Sequence, residues 1–193
     1  MHGLVNRSLQ SFLRDTYGAA LWAQVAEVSG SPPEGFEAML SYDDAVTDRV
    51  LDAAVLILAK PRDALLEDLG MFLVSLEPLR RLLRFGGVDY VDFLHSLDEL
   101  PDRARLAVEE IGLPELTLAA RGDDGFTVEL GSGHPGFAPV FAGILRAMAD
   151  DYGAFALVDL ADPRPEGNVI RIELLETKFS SGRSFDLGRP GVE

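Results

Sequence analysis

Up to about Leu100 the apolar residues of this chain recur every three or four positions, and beyond Leu113 they recur about every second position. Spacings near 3.6 and 2 belong to the buried faces of helices and strands, so two repeat lengths follow one another along a single chain. A segregated pattern of this kind predicts an α+β fold: a helical N-terminal half packed on a small antiparallel sheet half with an inserted helix. At 193 residues, 47% of them hydrophobic, the chain is long enough to bury a core of its own.

The breaks in each pattern mark the elements. Leu4, Val5, Leu9, Phe12 and Leu13 share one helical face over residues 3–16, which Tyr17-Gly18 closes. Residues 19–28 predict a second helix through Leu21, Trp22, Val25 and Val28, and Ser29-Gly30-Ser31-Pro32-Pro33-Glu34-Gly35 breaks it into a loop. Asp43 is placed to cap a third helix, which Pro61 limits, and a fourth runs from Arg62-Asp63 toward Pro78. Asp89 predicts another cap, and Pro101 stands where a fresh helix can begin, because proline fits a first turn and an interior position costs about 3 kcal/mol. Residues 115–120 and 126–130 read as a β-hairpin across Gly122-Asp123-Asp124-Gly125. A helix over 139–148 follows, then strands over 154–160 and 168–176. The organisation expected is one domain over residues 1–179, helical to about 111 and sheet-bearing over about 112–179, with 180–193 as a flexible tail.

Composition closes off several classes of function. Seventeen Lys and Arg stand against 32 Asp and Glu, a net charge of −15, which opposes binding to nucleic acid or an anionic membrane. No cysteine is present, which removes disulfides, thiolate nucleophiles, iron–sulfur clusters and cysteine zinc sites. The start MHGLVNRSLQ lacks the uninterrupted apolar run of a secretory signal, and the longest apolar stretch, 53–59, is far below the roughly 20 residues that span a bilayer. A cytoplasmic location is expected.

Neither a phosphate-binding loop nor a nucleophile elbow nor a metalloprotease motif occurs, so no enzyme is indicated. The adjacent acidic pairs, such as Asp98-Glu99 and Asp150-Asp151, point about 100° apart on a helix and read as solvated surface. Of the three histidines, His2 opens the first helix, His95 lies on a helix beside Leu94, and His134 sits in the turn Gly131-Ser132-Gly133-His134-Pro135-Gly136, whose amides suit an anion.

An ordered set of residues carries a family resemblance. Met1-x-Gly3-x-Val5-Asn6-x-x-Leu9 is followed by Tyr17-Gly18, Trp22, Tyr42-Asp43-Asp44, Leu69-Gly70-Met71-Phe72, Phe93-Leu94 and Leu97-Asp98-x-Leu100. In order and spacing the chain resembles the heme nitric oxide/oxygen-binding family, H-NOX or HNOB, and the resemblance spans most of its length. It implies a gas-sensing, non-catalytic domain of signal transduction that holds heme b between its helical and sheet halves. It also implies a proximal histidine after the Leu-Asp-x-Leu run and a Tyr-x-Ser-x-Arg motif on the propionates, and it points to a histidine kinase or a cyclic-nucleotide signalling enzyme as partner.

This sequence departs from both motifs. Pro101 stands at the proximal-ligand position, and the propionate motif reads Leu130, Ser132 and His134. Loss of a phenol and a bidentate guanidinium removes two strong carboxylate partners. The resemblance places Leu4, Val5, Met71, Phe72, Leu94, Leu97, Pro101, Leu130, Ser132 and His134 around the cofactor, with His2, on the helix laid over its distal face, as a substitute metal ligand. Weakened or lost heme ligation is the expectation, and a heme-free ligand-binding or protein-interaction module on the same fold is the alternative.

Overall fold

The computed structural model describes residues 1–108, 111–122, 124–161 and 167–175; the expected tail over 180–193 lies outside them. Helix α1 (Gly3–Tyr17) opens at His2, whose Nδ1 accepts from the Leu4 amide at 3.2 Å, and ends at Gly18 with φ 96°. Helix α2 (Ala19–Ser29) ends at Gly30 in the left-handed region. Gln10 and Trp22 hold the long loop that follows: Gln10 Oε1 accepts from the Phe36 amide at 3.0 Å, and Trp22 Nε1 donates to the Pro33 carbonyl at 2.9 Å. Asp43 caps α3 (Asp44–Leu58) as expected, accepting from the Ala45 amide at 2.9 Å.

Helix α4 (Arg62–Ser75) stops before Pro78, and that proline opens a separate helix, α5 (Glu77–Arg84). Pro78 was expected only to limit α4; a missing N–H costs nothing in a first turn, so one residue both ends and begins a helix. The helix expected from Asp89 to Leu100 is broken into α6 (Tyr90–His95) and a 3₁₀ turn (Leu97–Glu99), and the fresh helix expected at Pro101 is α7 (Leu100–Ala107), with Pro101 in its first turn.

Strands β1 (Leu116–Arg121) and β2 (Gly125–Leu130) form the expected hairpin, with Leu116 opposite Leu130. Helix α8 (Phe137–Tyr152) then crosses to β3 (Ala156–Leu160) and β4 (Asn168–Leu174). All pairings are antiparallel in the order β1-β2-β4-β3. Strand β3 starts two residues later than expected because the Ala154 amide is spent on the Ala149 carbonyl at 2.8 Å, closing α8 around the left-handed Gly153.

Two cores result. One is built from α1, α2, α3 and the first part of α4, around Leu9, Phe12, Leu13, Trp22, Val50 and Leu65. The other joins the sheet and α8 to α5, α6 and α7, around Phe93, Leu94, Leu145, Met148 and Ile170. Secondary structure changes type between Ala107 and Leu116, but the cores divide between Leu69 and Val74, inside α4. Helices α5 to α7 belong in sequence to the helical half and in packing to the sheet.

Helices α4 and α8 join the two cores at a close crossing made by glycine. A Cβ on Gly70 would run into the Val140 carbonyl, and one on Gly143 into the backbone of Glu67. Beside this contact Arg146 pairs with Glu67 and donates to the Val158 carbonyl, tying α4, α8 and β3 together.

Candidate functional site

Away from the glycine crossing the two cores part, and a cavity of about 610 Å³ lies between them. Helices α1 (Leu4, Val5, Ser8) and α3 (Thr47, Leu51) bound one side, and α5 (Leu79, Leu82) and α7 (Leu100, Ala104) the other. Leu66, Leu69 and Leu73 of α4 and Phe137, Val140 and Ile144 of α8 close the end nearest the crossing. Apart from α4, which is apolar on several faces, each wall is the apolar face of an amphipathic helix, and the volume falls within the roughly 300–1,000 Å³ of pockets that bury a small ligand.

Polar groups on the wall are few and already engaged. Ser8 donates its hydroxyl proton to the Leu4 carbonyl at 2.9 Å, and Thr47 donates to Asn6 Oδ1 at 2.6 Å. Each oxygen keeps lone pairs for a further donor. Among the described residues His134 is the one titratable side chain on the wall. Its Nδ1 accepts from the Gly136 amide at 3.1 Å, which assigns the proton to Nε2, 3.2 Å from Asp48 Oδ1 on α3. Asp48 is paired in turn with Arg62. His134 therefore ties the β2–α8 loop to α3 across the seam, with its side chain only 9% exposed.

The tyrosines whose protonation is displaced stand elsewhere. Burial pushes the Tyr90 phenol up, where it donates to the Leu145 carbonyl at 3.0 Å inside the sheet-side core. Burial also raises Tyr152, opposed by the Arg84 guanidinium 4.8 Å over its ring. Neither lines the cavity, whose wall is predominantly apolar.

Of the residues expected around a cofactor, the structure brings Leu4, Val5 and His134 to this wall. Met71 faces solvent at 41% exposure, and Phe72 packs on Phe12 at 5.5 Å in the N-terminal core. Leu94 and Leu97 are fully buried in the sheet-side core, with Leu130 beside them, and Ser132 is exposed. Pro101 is buried in the first turn of α7, whose Leu100 and Ala104 reach the wall. His2 is a helix cap and does not line the cavity; among the described residues no three His, Asp or Glu side chains gather as a metal-ligand set. Sequence reasoning missed the α5 and α8 walls. The Leu79, Leu82, Leu83 spacing after Pro78 was the available signal for α5.

The profile of the Haem-NO-binding family, HNOB, matches residues 2–156. The chain belongs to this family. Its sequence is 23% identical over 197 residues to soluble guanylate cyclase gcy-31 of Caenorhabditis elegans, covering 100% of this chain and 27% of that protein. It is 22% identical over 155 residues to soluble guanylate cyclase 89Db of Drosophila melanogaster, covering 79% of this chain and 23% of that protein. The chain thus spans about a quarter of the length of the curated relatives it matches. Its fold is that of an H-NOX protein from S. oneidensis in the Fe(II)NO ligation state, with TM-score 0.77, 15% identity and coverage of 91% of this chain and 100% of that one. It is equally that of an oxygen-binding H-NOX domain related to soluble guanylate cyclases, with TM-score 0.71, 17% identity and coverage of 91% and 96%. Both the α+β architecture and the sensory, non-catalytic class expected from the H-NOX resemblance are thereby shown, and no described helix is long and apolar enough to cross a membrane.

Heme is the group the H-NOX family implies, and it needs an iron ligand and partners for two carboxylates. The residues present do not fit it. Pro101 has no ligating atom, both ring nitrogens of His134 are occupied, and among the described residues no Lys or Arg lines the cavity. The apolar body of the site remains, without the groups that would hold iron or propionate.

Proposed function

We propose that this H-NOX chain is the sensory module of a signalling protein in which occupancy of the seam cavity, and not a histidine–iron bond, sets the relative position of the two cores. One observation carries the reading: a large apolar cavity opens between two cores whose backbones come into tight contact at the Gly70–Gly143 crossing. A ligand that bridges the walls binds one relative arrangement better than others and shifts the population toward it. Pro101 at the proximal position supports an output that bypasses iron. The signal would pass to a guanylate-cyclase-type enzyme or a histidine kinase, the former suggested by the relatives named above.

The test is an absorption spectrum of the protein expressed with heme supplied, with and without dithionite and nitric oxide. The expected result is no stoichiometric Soret band. A full band that shifts on reduction and with nitric oxide overturns the iron-free reading, and His2→Ala would then locate the ligand. A Pro101→His, Leu130→Tyr, His134→Arg triple variant tests the departures directly, with heme uptake as the expected gain.

A further inference from the structure

The wall of the seam cavity also specifies the charge of what fills it. We infer that the ligand is a neutral lipid with a hydroxyl head, such as a long-chain alcohol, and that its head lies at the α1–α3 end beside Ser8 and Thr47. The inference rests on the cavity-occupancy reading above and names the ligand class for the same site.

Three observations lead there. Protein interiors hold few voids larger than a water molecule, and a cavity of about 610 Å³ with leucine-rich walls is poor in partners for water, so an apolar body is what it accommodates. No Lys or Arg lines it among the described residues, its titratable side chain, His134, already faces the Asp48 carboxylate, and the ammonium of Met1, which also lines it, is paired with Asp44 at 2.6 Å. An anionic head would be buried without a free cation, in a chain whose net charge is −15. This weighs against a fatty acid as much as against heme. The Ser8 and Thr47 oxygens have spent their protons on Leu4 and Asn6, so what they offer is lone pairs. Asn6, which accepts from Thr47, keeps a buried Nδ2 without a partner, so a hydroxyl, donor and acceptor at once, suits this end better than a carboxylate, which accepts only.

The experiment compares two ligands that differ only in the head. The full chain is loaded with the neutral dye N-phenyl-1-naphthylamine at pH 8, and 1-decanol, decanoate and hemin are titrated against it. Decanol is expected to displace the dye at least about tenfold more effectively than decanoate, since a buried unpaired carboxylate is costly. Ser8→Arg, which adds a cation at the head position, is expected to reverse the preference by about the same factor. Ala104→Phe and, independently, Leu73→Phe are expected to abolish dye binding while the circular dichroism spectrum is kept.

Decanoate binding as well as decanol, or hemin uptake with a Soret band, overturns the neutral-ligand inference and leaves cavity occupancy standing. Preference for decanol with no response to Ser8→Arg overturns the placement of the head. Dye, decanol, decanoate and hemin all failing to bind overturns the cavity as a ligand site, and the proposed function with it.

Discussion

The two cores meet along one line in two different ways. At the α4–α8 crossing, backbone lies on backbone: Gly70 faces the Val140 carbonyl, Gly143 faces Glu67, and the Arg146–Glu67 pair locks the contact from outside. At the other end, α1 and α3 stand apart from α5 and α7, and the gap is bridged in polar terms by His134 and Asp48. A contact with no room for a methyl group and a gap of about 610 Å³ on the same seam teach that one joint can be close-packed at one end and open at the other. A dense interior has discrete arrangements and few intermediate ones, so the proposed signal requires that a change in the gap be felt at the crossing.

The largest effect is expected at the crossing. Gly143→Val forces side-chain carbons into the backbone of Glu67, and a loss of about 3 kcal/mol follows, seen as a fall in Tm of roughly 6–12 °C in a calorimetric scan. Survival of the wild-type Tm would show that the crossing is loose and the comparison mistaken.

Truncations separate filled core from open wall. Leu145→Ala, with its side chain fully buried, is expected to cost about 2–5 kcal/mol, whereas Leu73→Ala on the cavity wall removes atoms that already lack neighbours and costs less, about 1 kcal/mol. Equal losses in urea melts would mean that the cavity is closed in solution.

Alkaline pH probes the sheet-side core most strongly, because Tyr90 is the most deeply buried of the raised tyrosines. The folded-state pKa of Tyr90 is raised by burial, so its contribution to stability is fully present below the ordinary tyrosine value near 10 and is lost as pH rises above it. Tyr90 is expected to contribute a slope of about 1.4 kcal/mol per pH unit, so Tyr90→Phe shallows the alkaline loss to what Tyr17 and Tyr152 leave. Trp22, the single tryptophan, lies in the other core, so its fluorescence reports whether the N-terminal core follows or holds.

The smallest effect belongs to the bridge across the gap. Asp48→Asn removes a charged acceptor from His134 and Arg62, and about 1 kcal/mol or less is expected, since Asp48 is substantially exposed. A large loss would make this contact, and not the glycine crossing, the main tie between the cores.

Much of this was legible beforehand, for local reasons. Asp43 and Asp89 were readable as caps because an aspartate before an apolar run satisfies free amides within its own turn. The hairpin and the antiparallel sheet followed from alternation and turn chemistry. The departures at Pro101, Leu130 and His134 were visible because they are identities. The walls of the cavity were less legible: Leu4 and Val5 were anticipated there, but Leu94 and Leu97 turned into a filled core and Met71 toward solvent. Periodicity says that a helical face is apolar and is silent on whether that face meets another helix or an opening.

The sequence by itself determined the order of the elements, the sites of most breaks, the sign of the charge and the absence of thiol chemistry, all set by residues acting within a few positions of one another. Only the tertiary structure decided that the cores divide inside α4, that Gly70 and Gly143 face the other helix's backbone, and that the leucines of α4 and α5 enclose an opening that no Lys or Arg lines among the described residues. Those are properties of surfaces brought together from distant parts of the chain, and no local spacing encodes how closely two such surfaces will meet.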